Sequence, residues 1–177
     1  MNEFSQIAEH ENKRIDSVSI TSSGVKIKWA IVTPDGEGDS NVTTGSVSNP
    51  EPAHQDFIDW LVELGPWVRD YYINKVDSAV TDDWDNRVRV LGITFKHNTK
   101  GITAQVSAIF RGLDEQHGDL KTPATPLFKK GEEGHESGAT VTFGEGNTDI
   151  LNNVMHEARL YLGGKRGSMQ QKLDEDI

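Results

Sequence analysis

The chain has 177 residues, enough for one domain that buries its own core. The absence of cysteine excludes disulfides, zinc–thiolate and iron–sulfur sites and thiolate nucleophiles. A net charge of −10 argues against a general polyanion-binding surface, but the charge is uneven along the chain: residues 1–85 carry −10, residues 86–130 carry +5 and residues 131–177 carry −5.

The N-terminal residues MNEFSQIAEHENKRID are acidic and polar where a secretory signal needs a basic start and an apolar run, so residues 1–14 are expected to be a flexible, non-targeting segment. Nowhere does an apolar run approach the roughly 18 residues of a membrane span. Ile15, Val18 and Ile20 suggest a first strand, and Ser22-Ser23-Gly24 a turn. Val25, Ile27, Trp29 and Ile31 then alternate with Lys26, Lys28 and Ala30, the period-two pattern of a strand burying one face. Thr33 to Asp39 closes it, and Val42 to Val47 is expected to return as a third strand of a meander.

Asn49-Pro50-Glu51-Pro52 ends this sheet segment. Phe57, Ile58, Leu61, Leu64, Val68 and Tyr71 recur at three and four, which predicts an apolar helical stripe, and Gly65-Pro66 either kinks that helix or starts a second. Asp77 to Asp85 reads as a polar connector. Arg87 to His97 and Ile102 to Arg111 flank Asn98-Thr99-Lys100-Gly101 and predict a β-hairpin, with Gly92 marking a bulge. Thr122 to Phe128, broken by Pro123 and Pro126, is expected as an edge strand or extended loop, followed by a glycine- and glutamate-rich loop and a short strand at Thr140 to Phe143. Asn147 or Thr148 is expected to cap a last helix with Ile150, Leu151, Val154, Ala158 and Tyr161 or Leu162 on its apolar side. These elements predict an α+β fold over residues 15–163, an antiparallel sheet of five to seven strands with two main helices packed on one face, followed by a disordered acidic tail over residues 164–177.

Short catalytic and metal motifs fail on inspection. His156-Glu157-Ala158-Arg159-Leu160 has leucine where the second zinc-binding histidine belongs. Asp35, Glu37 and Asp39 alternate like calcium-loop ligands, but Ser40 and Ser46 replace the required glycine and bidentate glutamate. Asp82, Asp83 and Asp85 lack a strand-borne partner for a magnesium site. No phosphate loop or nucleophile elbow is present. A non-enzymatic role without cofactor or metal is therefore expected.

The pleat of the central hairpin directs Ile102, Ala104, Val106, Ala108 and Phe110 to the core and leaves Thr94, Lys96, Thr103, Gln105, Ser107 and Arg111 on the other side. A basic, hydroxyl- and amide-rich face of this kind can contact phosphates. The candidate binding residues are Arg89, Lys96, Lys100, Thr103, Gln105, Arg111 and Lys121, with Leu173, Asp174, Glu175, Asp176 and Ile177 as a tail that recruits a partner.

Pro50-Glu51-Pro52, Gly101-Ile102-Thr103-Ala104, Lys121-Thr122-Pro123 and Tyr161 to Arg166 (YLGGKR) together resemble a group of small tailed-phage and prophage proteins, over about residues 15–173. Some members of that group are encoded among recombination and replication genes, and the resemblance implies no catalytic residue. Gly163-Gly164 and the non-aromatic tail end depart from the group's pattern. With the basic hairpin, the resemblance points to an accessory protein of DNA metabolism that binds single-stranded DNA or a replication or recombination protein; the absence of cysteine and of a signal sequence leads to the expectation of a soluble protein in the host cytoplasm. The alternative is an inhibitor whose acidic N-terminal third imitates nucleic acid and blocks a host protein. Oligomeric state is left open by the sequence.

Overall fold

The structure, a computed structural model, describes residues 12–34, 40–72, 82–99, 101–112, 117–127 and 142–167. It is an α+β fold, as expected. The strands are β1 Arg14–Thr21, β2 Gly24–Pro34, β3 Ser40–Asn49, β4 Val88–Asn98, β5 Gly101–Arg111, β6 His117–Lys121 and the short β7 Thr125–Pro126. The helices are α1 Gln55–Val62, α2 Gly65–Tyr72, α3 Trp84–Arg87 and α4 Gly144–Leu162. One antiparallel sheet runs in the order β3-β2-β1-β4-β5-β6, and β7 pairs with the other end of the β5 edge.

Two hairpin units build this sheet. Thr21 pairs with Gly24 and Asn98 with Gly101, and in each unit a glycine at positive φ resumes the strand (φ 120° and 132°). The units meet along β1 and β4 through three residue pairs, Ser17 with Thr94, Val18 with Ile93 and Ser19 with Gly92. Register shifts flank this seam, between Ile15 and Ser17 in the β1–β2 ladder and between Val90 and Gly92 in the β4–β5 ladder. The bulge expected at Gly92 is there. A β-carbon on Gly92 would lie 2.2 Å from the Val18 carbonyl oxygen and 2.9 Å from the Ser19 Cα.

One sheet face is apolar because strand side chains alternate: Val18, Ile20, Val25, Ile27, Ile93, Phe95, Ala104, Val106 and Ala108 are buried there. The helices cover that face with Phe57, Leu61, Leu64, Val68, Leu151, Val154, Ala158 and Tyr161, all buried in the same core. Pro66 sits in the first turn of α2, where the missing N–H breaks no helical bond, so the Gly65-Pro66 interruption starts a second helix. No helix among the described residues is long and apolar enough to cross a membrane.

Three local expectations change. Residues 82–85 were expected in a polar connector, but Trp84 is only 3 % exposed and begins the single-turn α3, where one large apolar side chain outweighs the acidic neighbours. The last helix starts at Gly144, ahead of Asn147 and Thr148. Asn147 donates from Nδ2 to the Phe143 carbonyl (3.0 Å), and Phe143 is itself buried and stacked on Trp67 at 4.2 Å. The folded unit also extends past the expected limit at Gly163. Gly167 N–H donates to the Pro52 carbonyl (3.0 Å), Arg166 donates to Glu51 (2.8 Å) and its guanidinium stacks 3.7 Å from the Tyr161 ring centroid. Lys165 donates to Asp56 (2.8 Å) and to Glu157 (2.9 Å).

Charge pairing anchors this C-terminal segment where apolar area is lacking. Glu157 is 7 % exposed, and Lys165 supplies its counter-charge. Replacing Lys165 by Met strands a buried carboxylate and is expected to cost about 2 kcal/mol, or roughly 4–8 °C in thermal midpoint. Calorimetry on Lys165→Met and on Lys165→Met/Glu157→Leu checks this, the double variant losing less because no buried charge is left unpaired, Asp56 being exposed.

The same contact predicts a pH dependence. The hydrogen bond from Lys165 holds the Asp56 carboxyl below the usual carboxylate range. Burial alone would lower Lys165, but its bonds to Asp56 and Glu157 outweigh that and leave it raised. Asp56's contribution is present above the ordinary carboxylate range and is lost as pH falls through its depressed value. That of Lys165 is complete below the ordinary lysine range and is lost as pH rises through its raised value. The stability gap between wild type and Lys165→Met should therefore be widest near neutrality and close in acid, as read from melting curves across pH.

Candidate functional site

The face of the sheet away from the helices is polar because the same alternation that buries valine and isoleucine exposes their neighbours. Cross-strand pairs share a face, so register alone assembles its rows. Ser48, Lys26, Ser19, Gly92, Ser107 and Lys121 form one row, and Ser46, Lys28, Ser17, Thr94 and Gln105 the next. Lys96 pairs with Thr103 in the row beyond. Lys26, Lys28, Lys96 and Lys121 are all exposed.

Beyond the Ser17–Thr94 pair, toward the β4–β5 turn, lies an open cleft of about 620 Å³ lined by Arg14, Asp16, Ser17, Lys28, Thr94, Phe95, Lys96, His97 and Asn98. It forms where the β1 bulge at Asp16 breaks the register and brings Arg14, Asp16 and Ser17 together at the cleft, the usual effect of an extra residue in one strand. Arg14 Nε lies 2.9 Å from Asp16 Oδ1, which neutralises that pair. His97 Nε2 donates to the Ile15 carbonyl (2.9 Å) and stands 3.8 Å from Asp16. The uncompensated charge of the cleft is therefore carried by Lys28 and Lys96, beside the hydroxyls of Ser17 and Thr94. Two exposed ammonium groups flanking hydroxyl donors suit a phosphate or another oxyanion, because each stays hydrated until the ligand arrives.

The sequence-predicted residues fall into two groups. Lys96 and Thr103 stand at the cleft end. Arg89, Arg111 and Lys121 lie at the other end of the hairpin on the same side: Arg89 pairs with Ile109, whose other neighbour is Asp119, and Arg111 pairs with exposed His117. Gln105 shares the face, but its Nε2 donates to the Thr122 carbonyl (2.7 Å) and ties down the segment between β6 and β7, so its role is at least partly structural. Arg87 is not on this face. It pairs with Asp83 at 3.0 Å and donates to the carbonyls of Arg111 and Gly112. Lys100 and the tail residues Leu173, Asp174, Glu175, Asp176 and Ile177 lie outside the described residues, as do Asp35, Glu37 and Asp39.

Sequence reasoning missed Arg14, Lys26, Lys28 and His97. The alternation of Lys26 and Lys28 with apolar residues was visible. Their nearness to Lys96 was not, because it depends on β1 pairing with β4 across more than seventy residues. Of the three aspartates weighed as metal ligands, Asp83 is occupied by Arg87 and by Asn86, whose Nδ2 donates to it at 2.7 Å. Among the described residues no group of three or more His, Asp or Glu side chains is arranged to hold a metal ion. Compared with known proteins, the chain matches no family model, no curated protein and no solved structure.

Proposed function

We propose that the protein is a non-enzymatic accessory protein of DNA metabolism, of the tailed-phage kind its sequence resembles, that acts in the host cytoplasm by binding single-stranded nucleic acid on the polar face of its sheet. The observation that carries this reading is the cleft between Lys28 and Lys96. It joins cations from both hairpin units on one surface, beside the serine and threonine hydroxyls of the same rows. Such a surface tracks a phosphate chain by charge and hydrogen bonding, with little sequence preference.

Phe95 is buried and Phe110 packs partly buried against the core, so neither offers an open stacking platform. Affinity then comes mainly from phosphate contacts and is moderate and strongly salt-dependent. The acidic-mimic alternative needs free carboxylates in the N-terminal third. Among the described residues of that third, Asp16, Glu51 and Asp56 are each spent on an ion pair with Arg14, Arg166 and Lys165, and Asp59 accepts from Gln55.

Fluorescence anisotropy with the full chain and labelled single-stranded and duplex oligonucleotides tests the reading. Binding of the single strand that weakens steadily with added salt is expected. No binding at low salt, together with nuclease-resistant capture of a host protein, would contradict it.

A further inference from the structure

The two edges of the sheet are finished differently. At the β5 side the edge is broken up: β6 has five residues, β7 has two, Pro123 lies between them and Pro126 is the last residue of β7. Tyr72 reaches over from α2 to that edge, where its hydroxyl donates to the Lys121 carbonyl (2.7 Å) and accepts from the Lys121 N–H (3.0 Å). These are the usual devices that stop one sheet from pairing with another.

The β3 edge has none of them. Its ten residues, SNVTTGSVSN, hold no charge and no proline, and they pair with β2 through ten consecutive residues without a bulge. Among the described residues, no strand pairs with its second side. Among the described residues, two of the three exposed large apolar side chains, Val32 (41 %) and Val42 (53 %), stand opposite each other across β2 and β3.

We propose that β3 pairs antiparallel with β3 of a second copy, about a two-fold axis at Gly45, to give a homodimer with one continuous sheet. A strand without charge in a chain of net charge −10 is the place where two copies meet with least repulsion. The Gly45 register follows from what flanks the strand. A two-fold axis perpendicular to the sheet pairs residues that share a face, so Thr44 meets Ser46 of the second copy and Val42 meets Ser48.

That register staggers the lysines. The row of Lys28 and Ser46 continues into Thr44 and Ala30 of the second copy, and the row of Lys26 and Ser48 continues into Val42 and Val32. Each ammonium thus faces a neutral row, and the Lys26 stem covers exposed valine. On the core side Trp29 lies over Gly45, whose β-carbon would stand 2.2 Å from the indole Cζ2. With Gly45 against Gly45 the two indoles meet across the axis and continue the core layer from one copy to the next. The cationic faces of both copies then lie on the same side. This pairing does not depend on what those faces bind.

Sedimentation equilibrium over a concentration series of the full chain tests the proposal. A reversible dimer is expected for the wild type. Thr44→Lys/Ser46→Lys and Thr44→Glu/Ser46→Glu change only exposed positions and place like charges opposite one another, so each variant alone should be monomeric and should melt like the wild type at dilutions where the wild type is itself monomeric. Mixed in equal amounts, the two should recover the dimer as a heterodimer. A wild type that stays monomeric throughout, or variants that dimerise as well as the wild type, would overturn the pairing. So would a lysine–glutamate mixture that fails to associate where the wild type does. Oligonucleotide binding by the wild type, diluted until it is monomeric, separates this result from the reading of the cationic face.

Discussion

Gly92→Ala is expected to lower the thermal midpoint by roughly 6–12 °C, equivalent to about 3 kcal/mol for a chain of this size. The β-carbon would stand 2.2 Å from the Val18 carbonyl oxygen and 2.9 Å from the Ser19 Cα, and both are backbone atoms of the neighbouring strand that cannot rotate away. Relief requires β1 and β4 to part, and only three residue pairs join them. The cleft bridges the same seam, so the variant should also lose oligonucleotide binding in proportion to the fraction unfolded. Gly146→Ala is the control. Its β-carbon meets nothing within 4 Å in the first turn of α4, and alanine there should be neutral or stabilising by up to about 1 kcal/mol. Equal melting curves for Gly92→Ala and wild type would show that the close approach of β1 to β4 is wrong.

The double reversal Lys28→Glu/Lys96→Glu is expected to weaken single-strand binding about 30-fold near 0.1 M salt, a loss of about 2 kcal/mol. An ammonium–phosphate contact in a solvated cleft contributes about 1 kcal/mol at 4 Å, and reversal replaces attraction by repulsion, which salt then screens. Two lost phosphate contacts should also flatten the plot of log affinity against log salt by about 1.4, twice the roughly 0.7 per phosphate of a single strand. Both side chains are exposed, so the melting curve should stay within about 1 °C of wild type. Arg14→Ala should do less, because it changes the cleft charge by one unit, through the Asp16 carboxylate it leaves unneutralised, against four units for the double reversal.

The fold was largely legible because its signals are local. Val25, Ile27 and Trp29 alternate with lysines, Asn98-Thr99-Lys100-Gly101 separates two strand-like runs, and Phe57, Leu61, Leu64 and Val68 repeat at helical spacing. What was not legible depends on long-range geometry. Trp84 in an acidic stretch gives no periodic signal, yet burial under the sheet creates a helical turn there. The tail after Gly163 has too little apolar area to dock by burial alone, but Lys165 and Arg166 dock by pairing with Asp56, Glu157 and Glu51, residues far away in the chain.

The candidate site divides in the same way. The outward side of the central hairpin followed from the pleat, so Lys96 and Thr103 were found. Half of the cleft comes from Arg14 and Lys28, on strands that sequence reading assigned to the acidic third of the chain. Net charge by segment misleads here, because a strand two residues wide in period can carry its lysines to one face while nearby loops and helices hold the acids. The strand order β2-β1-β4-β5 turns two locally modest clusters into one surface.

Lysine footprinting by acetylation and mass spectrometry, with and without saturating single-stranded oligonucleotide, tests the cationic face most directly. Protection of Lys28 and Lys96, with weaker protection of Lys26 and Lys121, is expected. Lys165, held on the helix layer by Asp56 and Glu157, should react equally in both states. Unchanged reactivity of Lys28 and Lys96 in the bound state, or protection centred on Lys165, would contradict the assignment of this sheet face as the binding surface.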